Sequence, residues 1–284
     1  MNVVVTGCNG FIGKHLLKRL IADNHCITGF ARCAINHGKT SNTIIKIRKD
    51  LSKIKTQDLK GHQVLIHTAA VGVSPQKAKL HELIKTNIID SIDLVNKAIK
   101  AGIKLFVFTG SYGEYGYVGK NNYVMSADFQ LLPLDFYSWS KSAFFTGLIP
   151  ILNQNNIKVN YYRLFNVYGD GQNPANFWPQ LKNSAITGSN FNMSSGGQVR
   201  DFVQIEKVTK HISSSLPHLA KRKRFKLKVQ NIGNGNRVTL RDFAMSEWQR
   251  LGAVGEIQTR TKLDRVSNNY NYVACLKPKY YFCL

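Results

Sequence analysis

The sequence predicts an α/β protein built on a doubly wound parallel sheet, followed by a smaller C-terminal α/β domain. Three observations carry that reading. Short β-branched runs alternate with helix-period segments through residues 1–165 of the 284. A glycine-rich turn, TGCNGFIG, follows the first run and opens the first amphipathic segment. The alternation then loosens over 166–284 into loop-rich stretches such as GDGQNPANF, GSNFNMSSGGQ and NIGNGNR, with some later strands free to rejoin the sheet.

The elements read in order. NVVVT is a short buried strand, and FIGKHLLKRLIAD places Ile12, Leu16, Leu17, Leu20 and Ile21 at helical spacing. CITGF, NTIIKI and QVLIHTA are strands two to four. Residues 76–101 form one long amphipathic helix closed by Gly102. KLFVFTG is the fifth strand and KVNYYRL the sixth. YSWSKSAFFTGLIPILNQNN between them is helical, with Gly147 and Pro150 expected to weaken or kink its second half.

Composition narrows the class. No apolar run reaches the ~20 residues of a membrane helix. The start, MNVVVTG, lacks the features of a signal peptide, so a cytoplasmic protein is expected. Cys8, Cys26, Cys33, Cys275 and Cys283 show no metal-ligand spacing. The net charge is +23, densest in KRKRFKLK at 221–228. We read that run as a solvated basic segment rather than a nucleic-acid patch, since the chain is Lys-rich throughout.

In TGCNGFIG, Gly7, Gly10 and Gly13 stand where a dinucleotide site needs a tight bend, backbone approach to a pyrophosphate and close helix packing. The helix start, with Phe11 and Ile12, offers N–H groups to the phosphates. An NAD site usually places an acid after strand two, but residues 26–36 contain none. The first charged side chain is Arg32, suited to a 2′-phosphate, so NADP(H) is favoured and NAD(H) remains possible.

YSWSK puts Tyr137 and Lys141 four apart on one helical face. An ammonium beside a phenol eases proton transfer, making the pair a general acid toward a carbonyl or a base toward an alcohol. Ser111, after the fifth strand, lies at the sheet's carboxyl edge, where its hydroxyl could hold the reacting oxygen.

On these residues the chain resembles the extended short-chain dehydrogenase/reductases of the NAD-dependent epimerase/dehydratase family, which act mainly on nucleotide-diphosphate sugars. The resemblance implies a Rossmann-like fold and adds positions. Asp50 and Leu51 in KDLS would line the adenine, Ala69 and Ala70 in LIHTAA would pass the cofactor, and Asn87 matches a helix asparagine of the family. Asn166 in RLFNVYG and Arg200 in GQVRDFVQIEKV would face the diphosphate. The sequence also departs from the pattern. Dehydratases carry Thr-Asp-Glu where this chain has Ser111-Tyr112-Gly113, and double-epimerising reductases carry a Cys at Tyr112. GSYGEYG resembles the GS-x-x-E-Y-G of several 4-ketosugar reductases, and GFAR resembles reductases acting on CDP-linked 4-keto sugars. The chain stops at CLKPKYYFCL, where members usually continue through a GW-x-P turn into a last helix.

The resemblance implies an NADPH-dependent reductase of a nucleotide-diphospho-4-keto-6-deoxysugar. Ser111, Tyr137 and Lys141 would be catalytic, with Tyr112 against the substrate. A 4-epimerase retaining NAD is the alternative from the same residues, and a non-catalytic dinucleotide- or RNA-binding protein is the alternative from another class. A homodimer is expected, because AFFTGLIPIL, with Phe144, Phe145 and Leu148, is more apolar than one sheet-facing stripe requires.

Overall fold

Strand β1 (Asn2–Thr6) buries Val3, Val4 and Val5 completely, as a central parallel strand covered on both faces must. The computed structural model describes residues 1–33, 42–73, 75, 77–120, 124–223, 226–260 and 271–281. After β1 come α1 (Phe11–Ala22), β2 (Cys26–Ala31), β3 (Thr43–Ile47), α2 (Thr56–Leu59) and β4 (Val64–His67). Next are α3 (Leu80–Leu83), α4 (Ser91–Lys100), β5 (Leu105–Ser111), β6 (Val124–Met125), α5 (Phe136–Gln154) and β7 (Lys158–Leu164). The later half adds β8 (Asn166–Tyr168), α6 (Phe177–Thr187), β9 (Phe191–Met193), β10 (Val199–Arg200), β11 (Phe202–Gln204) and α7 (Ile205–Lys221). It closes with β12 (Leu227–Ile232), β13 (Val238–Thr239), α8 (Leu240–Arg250), β14 (Ile257–Thr259), β15 (Val273–Ala274) and β16 (Lys279–Tyr281).

The main sheet has eight strands in the order β16-β12-β7-β5-β4-β1-β2-β3. All its pairings are parallel except β16 on β12. The fold is therefore the Rossmann-like doubly wound sheet the sequence predicts. Helices α1 and α7 cover one face through Leu16, Leu17, Leu20, Ile212 and Leu216. On the other face, α4 and α5 pack Leu94, Val95, Phe144, Leu148 and Leu152. The chain runs outward from β1 through β2 and β3, then returns to β4 on the opposite side. That reversal leaves a crevice at the carboxyl ends of β1 and β4, where ligands bind in such sheets.

Two expectations are corrected. The helix expected over 76–101 begins at Leu80, because the Lys79 N–H bonds Glu82 Oε2 at 2.8 Å and caps the chain there. It then passes through a π-helical stretch, Ile84–Asp90, before α4. Helix α5 stays helical through Gly147 and Pro150 to Gln154. Gly147 lets α5 approach α4, since a Cβ there would press to 3.3 Å from Ile92 Cδ1. Finally, Phe144 and Leu148 are core, at 1% and 0% exposure, and Phe145 packs beside them. They do not form the exposed face the dimer expectation assigned to them.

The later strands partly rejoin the sheet, with β12 pairing along β7 from Leu227 to Ile232. A separate cluster of Leu181, Phe191, Met193, Ala244 and Trp248 unites α6, α8 and β9. In the basic run, Arg222 donates to Val159 O and Asn160 Oδ1, binding the end of α7 to the sheet. Arg224 and Phe225 of that run lie outside the described residues. Among the described residues no helix is long and apolar enough to cross a membrane.

Candidate active site

The glycine turn has the backbone its composition requires. Gly7 sits at φ +78°, and a Cβ there would come within 2.7 Å of the Ala69 nitrogen in the loop after β4. A Cβ at Gly13 would collide with the Gly7 carbonyl, so the turn folds flat onto α1. The Gly10 N–H donates to Gly7 O at 2.8 Å. Gly10 caps α1 with no side chain, and no acid stands in the first turn that Phe11 and Ile12 begin. The helix thus offers its partial positive end to the crevice. A cradle of this shape, closed to any side chain, fits a dinucleotide pyrophosphate.

Arg32 follows β2 directly and is exposed. Asn9 Nδ2 bonds Cys33 O at 3.1 Å, fastening the end of β2 to the glycine turn. The described part of the acid-free segment ends at Cys33. Asp50 is exposed and stands 3.9 Å from Lys85 Nζ, while Leu51 packs against the core. Ala69 and Ala70 line the loop after β4, partly buried. Asn87 is 3% exposed and its amide is engaged by the protein. It pairs with both backbone groups of Val71 at 2.9 and 3.1 Å and donates to Ser140 Oγ at 3.0 Å. The structure thus gives Asn87 the part of a brace between the loop after β4 and α5.

Ser111 ends β5, and its Oγ accepts the Gly113 N–H at 3.1 Å. Asp135 caps α5 by accepting the Ser138 N–H at 2.8 Å, which sets Tyr137 and Lys141 one turn apart on the first turns. A Cβ at Gly113 would collide with Ser138 Oγ, so the turn after Ser111 lies directly against that helix. A Cβ at Gly72 would lie 3.6 Å from Tyr137 Cδ2, placing the phenol ring beside the loop after β4. Strands β4 and β5 and helix α5 therefore bring the three candidate residues to one end of the sheet.

Electrostatics there departs from expectation in one respect. Burial pushes the Tyr137 phenol above its ordinary value, and the carboxylates of Glu114 and Asp135 add to the rise. The anticipated lowering by Lys141 is not found; every cause acting on the phenol raises it. Burial also brings the Lys141 ammonium down to about 8, with Glu114 opposing the fall. A phenol so held keeps its proton at neutral pH, which is the state a general acid toward a carbonyl needs.

On the far side of the crevice, the Asn166 N–H bonds Asp201 O at 3.0 Å, so Asn166 and Arg200 lie on neighbouring segments. Asn166 Oδ1 is buried without a partner among the described residues. The Arg200 guanidinium stands 5.4 Å from the Tyr272 ring. Tyr112 packs on Phe165 at 5.6 Å and Tyr272 at 5.0 Å, giving the position after Ser111 an aromatic wall. The Asp201 carboxylate accepts the N–H groups of Asn234, Gly235 and Ala274, fixing the loops around Arg200.

Sequence reasoning missed Arg163 and Tyr272, and it quoted Glu114 only as the E of GS-x-x-E-Y-G, with no role. The available signal was Arg163, a charge inside the otherwise buried strand KVNYYRL. Tyr272 carried none, because its place depends on how the C-terminal segment returns to β6.

Comparisons with known proteins bear on the family and the fold. The model of the NAD dependent epimerase/dehydratase family matches residues 3–233. The chain is 25% identical over 255 residues to the CDP-abequose synthase of Salmonella typhimurium, covering 85% of this chain and 78% of that one. It is 25% identical to the UDP-glucose 4-epimerase of Lactobacillus helveticus, over 83% and 77% of the two chains. Among solved structures, MoeE5 in complex with UDP-glucuronic acid and NAD superposes with a TM-score of 0.81 at 25% identity, over 98% of this chain and 90% of that one.

Proposed function

The chain belongs to the NAD-dependent epimerase/dehydratase family, and we propose that it reduces the C4 carbonyl of a nucleotide-diphospho-4-keto-6-deoxysugar with NADPH. Its likeness to a CDP-abequose synthase and to a UDP-glucose 4-epimerase supports modification of a sugar nucleotide by an NAD(P)-dependent oxidoreductase or epimerase. The observation that carries the narrower reading is what surrounds Ser111. Tyr112 is packed into an aromatic wall and Gly113 against Ser138, so no acid/base pair stands where water would be eliminated. Of the two nearby acids, Glu114 is fully buried on Arg163 and Asp135 is engaged by Ser138 as the cap of α5. What remains is chemistry for one proton at one oxygen.

NADPH, when bound, supplies the hydride. Tyr137 donates its proton to the C4 oxygen, and Ser111 Oγ hydrogen-bonds that oxygen. Lys141 would hold the nicotinamide ribose, and its ammonium would stabilise the phenolate as it forms. Gly7, Gly10 and Gly13 seat the pyrophosphate, and Arg32 pairs with the 2′-phosphate. Asn166 and Arg200 take the sugar-nucleotide diphosphate, so remote binding energy orients the reacting carbon. Arg32 and the resemblance of GSYGEYG and GFAR to 4-ketosugar reductases support a reductase, and the likeness to a CDP-abequose synthase supports a sugar-nucleotide substrate.

The likeness to a UDP-glucose 4-epimerase supports a second reading, in which the same residues oxidise and re-reduce one carbon with retained NAD. Assaying NADPH oxidation against a panel of 4-keto-6-deoxy sugar nucleotides separates the two. Stoichiometric consumption supports the reductase. Interconversion of UDP-sugars without added cofactor, with no NADPH consumed, would overturn it.

A further inference from the structure

Glu114 and Arg163 form an ion pair inside the protein, at 0% and 1% exposure and 2.8 Å apart. Burying two charges is costly, and such a pair is weak evidence of stability on its own. This pair lies directly behind the candidate catalytic residues. Glu114 Oε1 accepts the Ser111 N–H at 2.7 Å and the Tyr161 hydroxyl at 2.9 Å, while Oε2 accepts the Arg163 Nε–H. Arg163 also donates to Ala127 O at 3.0 Å and to the Tyr115 hydroxyl at 3.3 Å. Its guanidinium is sandwiched near the Tyr115 and Phe145 rings, at 5.0 and 4.8 Å. The Tyr161 hydroxyl lies 3.3 Å from the carbonyl of Lys141 itself.

The surrounding sequence is shaped to this carboxylate. A Cβ at Gly110 would collide with Glu114 Oε1 and Tyr161, so only glycine leaves room for the pair. Glycine at 113 lets the turn that carries Glu114 rest on Ser138.

We propose that Glu114 is a positioning residue for the reaction: clamped by Arg163 and Tyr161, it fixes the Ser111 backbone and ties the end of β5 to the Lys141 turn of α5. This rests on Ser111, Tyr137 and Lys141 being the reacting set. Both oxygens of Glu114 are taken by protein donors, so it acts through these neighbours and does not touch substrate. It also acts through space. Its charge favours the protonated forms of both Tyr137 and Lys141, and Asp135 at the start of α5 acts with it on Tyr137; the cation facing it is its own partner Arg163 on β7. Of the other titratable groups near Lys141, His67 on β4 is held neutral by burial, and burial pushes the Tyr161 phenol on β7 well above its ordinary value, so it too stays neutral.

The test uses the full chain. In Glu114→Gln the charge goes and the Ser111 N–H keeps an acceptor. In Glu114→Gln/Arg163→Met both charges go, so the fold is spared a lone buried cation. Misplacing a reacting group by about 1 Å can cost ~10²-fold, so kcat should fall roughly 10- to 100-fold with KM for the cofactor within about twofold. The alkaline limb of the pH profile should move to lower pH in Glu114→Gln. If that variant does not fold, the double variant's kcat decides. A folded double variant with wild-type kcat would overturn the proposal, as would a folded Glu114→Gln with an unmoved alkaline limb. Wild-type protein inactive on the whole panel would count against the reductase reading instead.

Discussion

Asn87 and Ser140 are hydrogen-bonded at 3.0 Å, joining the π-helical stretch before α4 to the α5 turn that bears Lys141. The same Asn87 amide pairs with both backbone groups of Val71. One side chain thus holds the loop beside the candidate phenol in register with the helix that carries it.

Asn87→Ala should therefore cost stability as well as activity. It leaves the Val71 N–H and C=O without partners, and an unsatisfied buried group costs about 1–3 kcal/mol. Urea unfolding should show a lower midpoint with unchanged slope. An unchanged midpoint would remove the brace from the account.

Tyr137→Phe keeps the ring against the loop at Gly72 and deletes the acid. Turnover should fall by ~10²–10⁴ while cofactor binding, measured by nicotinamide fluorescence, persists. Near-normal turnover would take Tyr137 out of the mechanism.

Arg32→Asp should move cofactor preference from NADPH toward NADH. The lost charge-assisted contact is worth ~1.5–3 kcal/mol, or about 10- to 100-fold in the ratio of kcat/KM values. An unaltered ratio would mean that Arg32 does not read the 2′-phosphate.

The described structure was legible in the sequence where a local rule had one outcome. The glycine turn needed a strand before it and a helix after it, and Gly7 at positive φ meets that need. Alternating strands gave the sheet, but not the antiparallel β16 at its edge, whose pairing is long-range. Hydropathy alone could not assign Phe144 and Leu148 to core or surface. Both faces of α5 are apolar, and only packing against Phe106 and Phe108 of β5 within the core cluster decides. The role of Glu114 stayed hidden, although GS-x-x-E-Y-G contains it, because its partner Arg163 is 49 residues away. The phenol's raised pKa likewise follows from burial, which no spacing reports.

His67 makes acid stability testable. It is 2% exposed and sits between Thr6 Oγ1 at 2.7 Å and Ser91 Oγ at 3.1 Å. Burial, aided by Lys141, lowers its pKa from 6.5 to about 3. The unfolded chain therefore binds more protons than the folded one between those values. Stability is full above about 6.5 and is lost as pH falls toward 3, by up to ~1.4 kcal/mol per unit. His67→Gln should flatten the dependence of urea midpoint on pH between 5 and 7, even if it is less stable at pH 7. An equally steep dependence would place the loss elsewhere.

Dimerisation remains an expectation, now on other residues. Phe136 and Ile89 are 63% and 58% exposed, and Trp139 on α5 is also exposed. Light scattering at micromolar concentration should give the mass of two chains, and Trp139→Glu should give one. A fully active wild-type monomer would contradict this.

The central claim is hydride delivery to a sugar carbonyl. Its most direct measurement is turnover of a 4-keto-6-deoxy sugar nucleotide with NADPH deuterated at the transferring position of nicotinamide C4. The account predicts a product carrying one deuterium at C4 of the sugar, formed in step with NADP⁺. Epimerised sugar free of deuterium, with the labelled NADPH unconsumed, would contradict it.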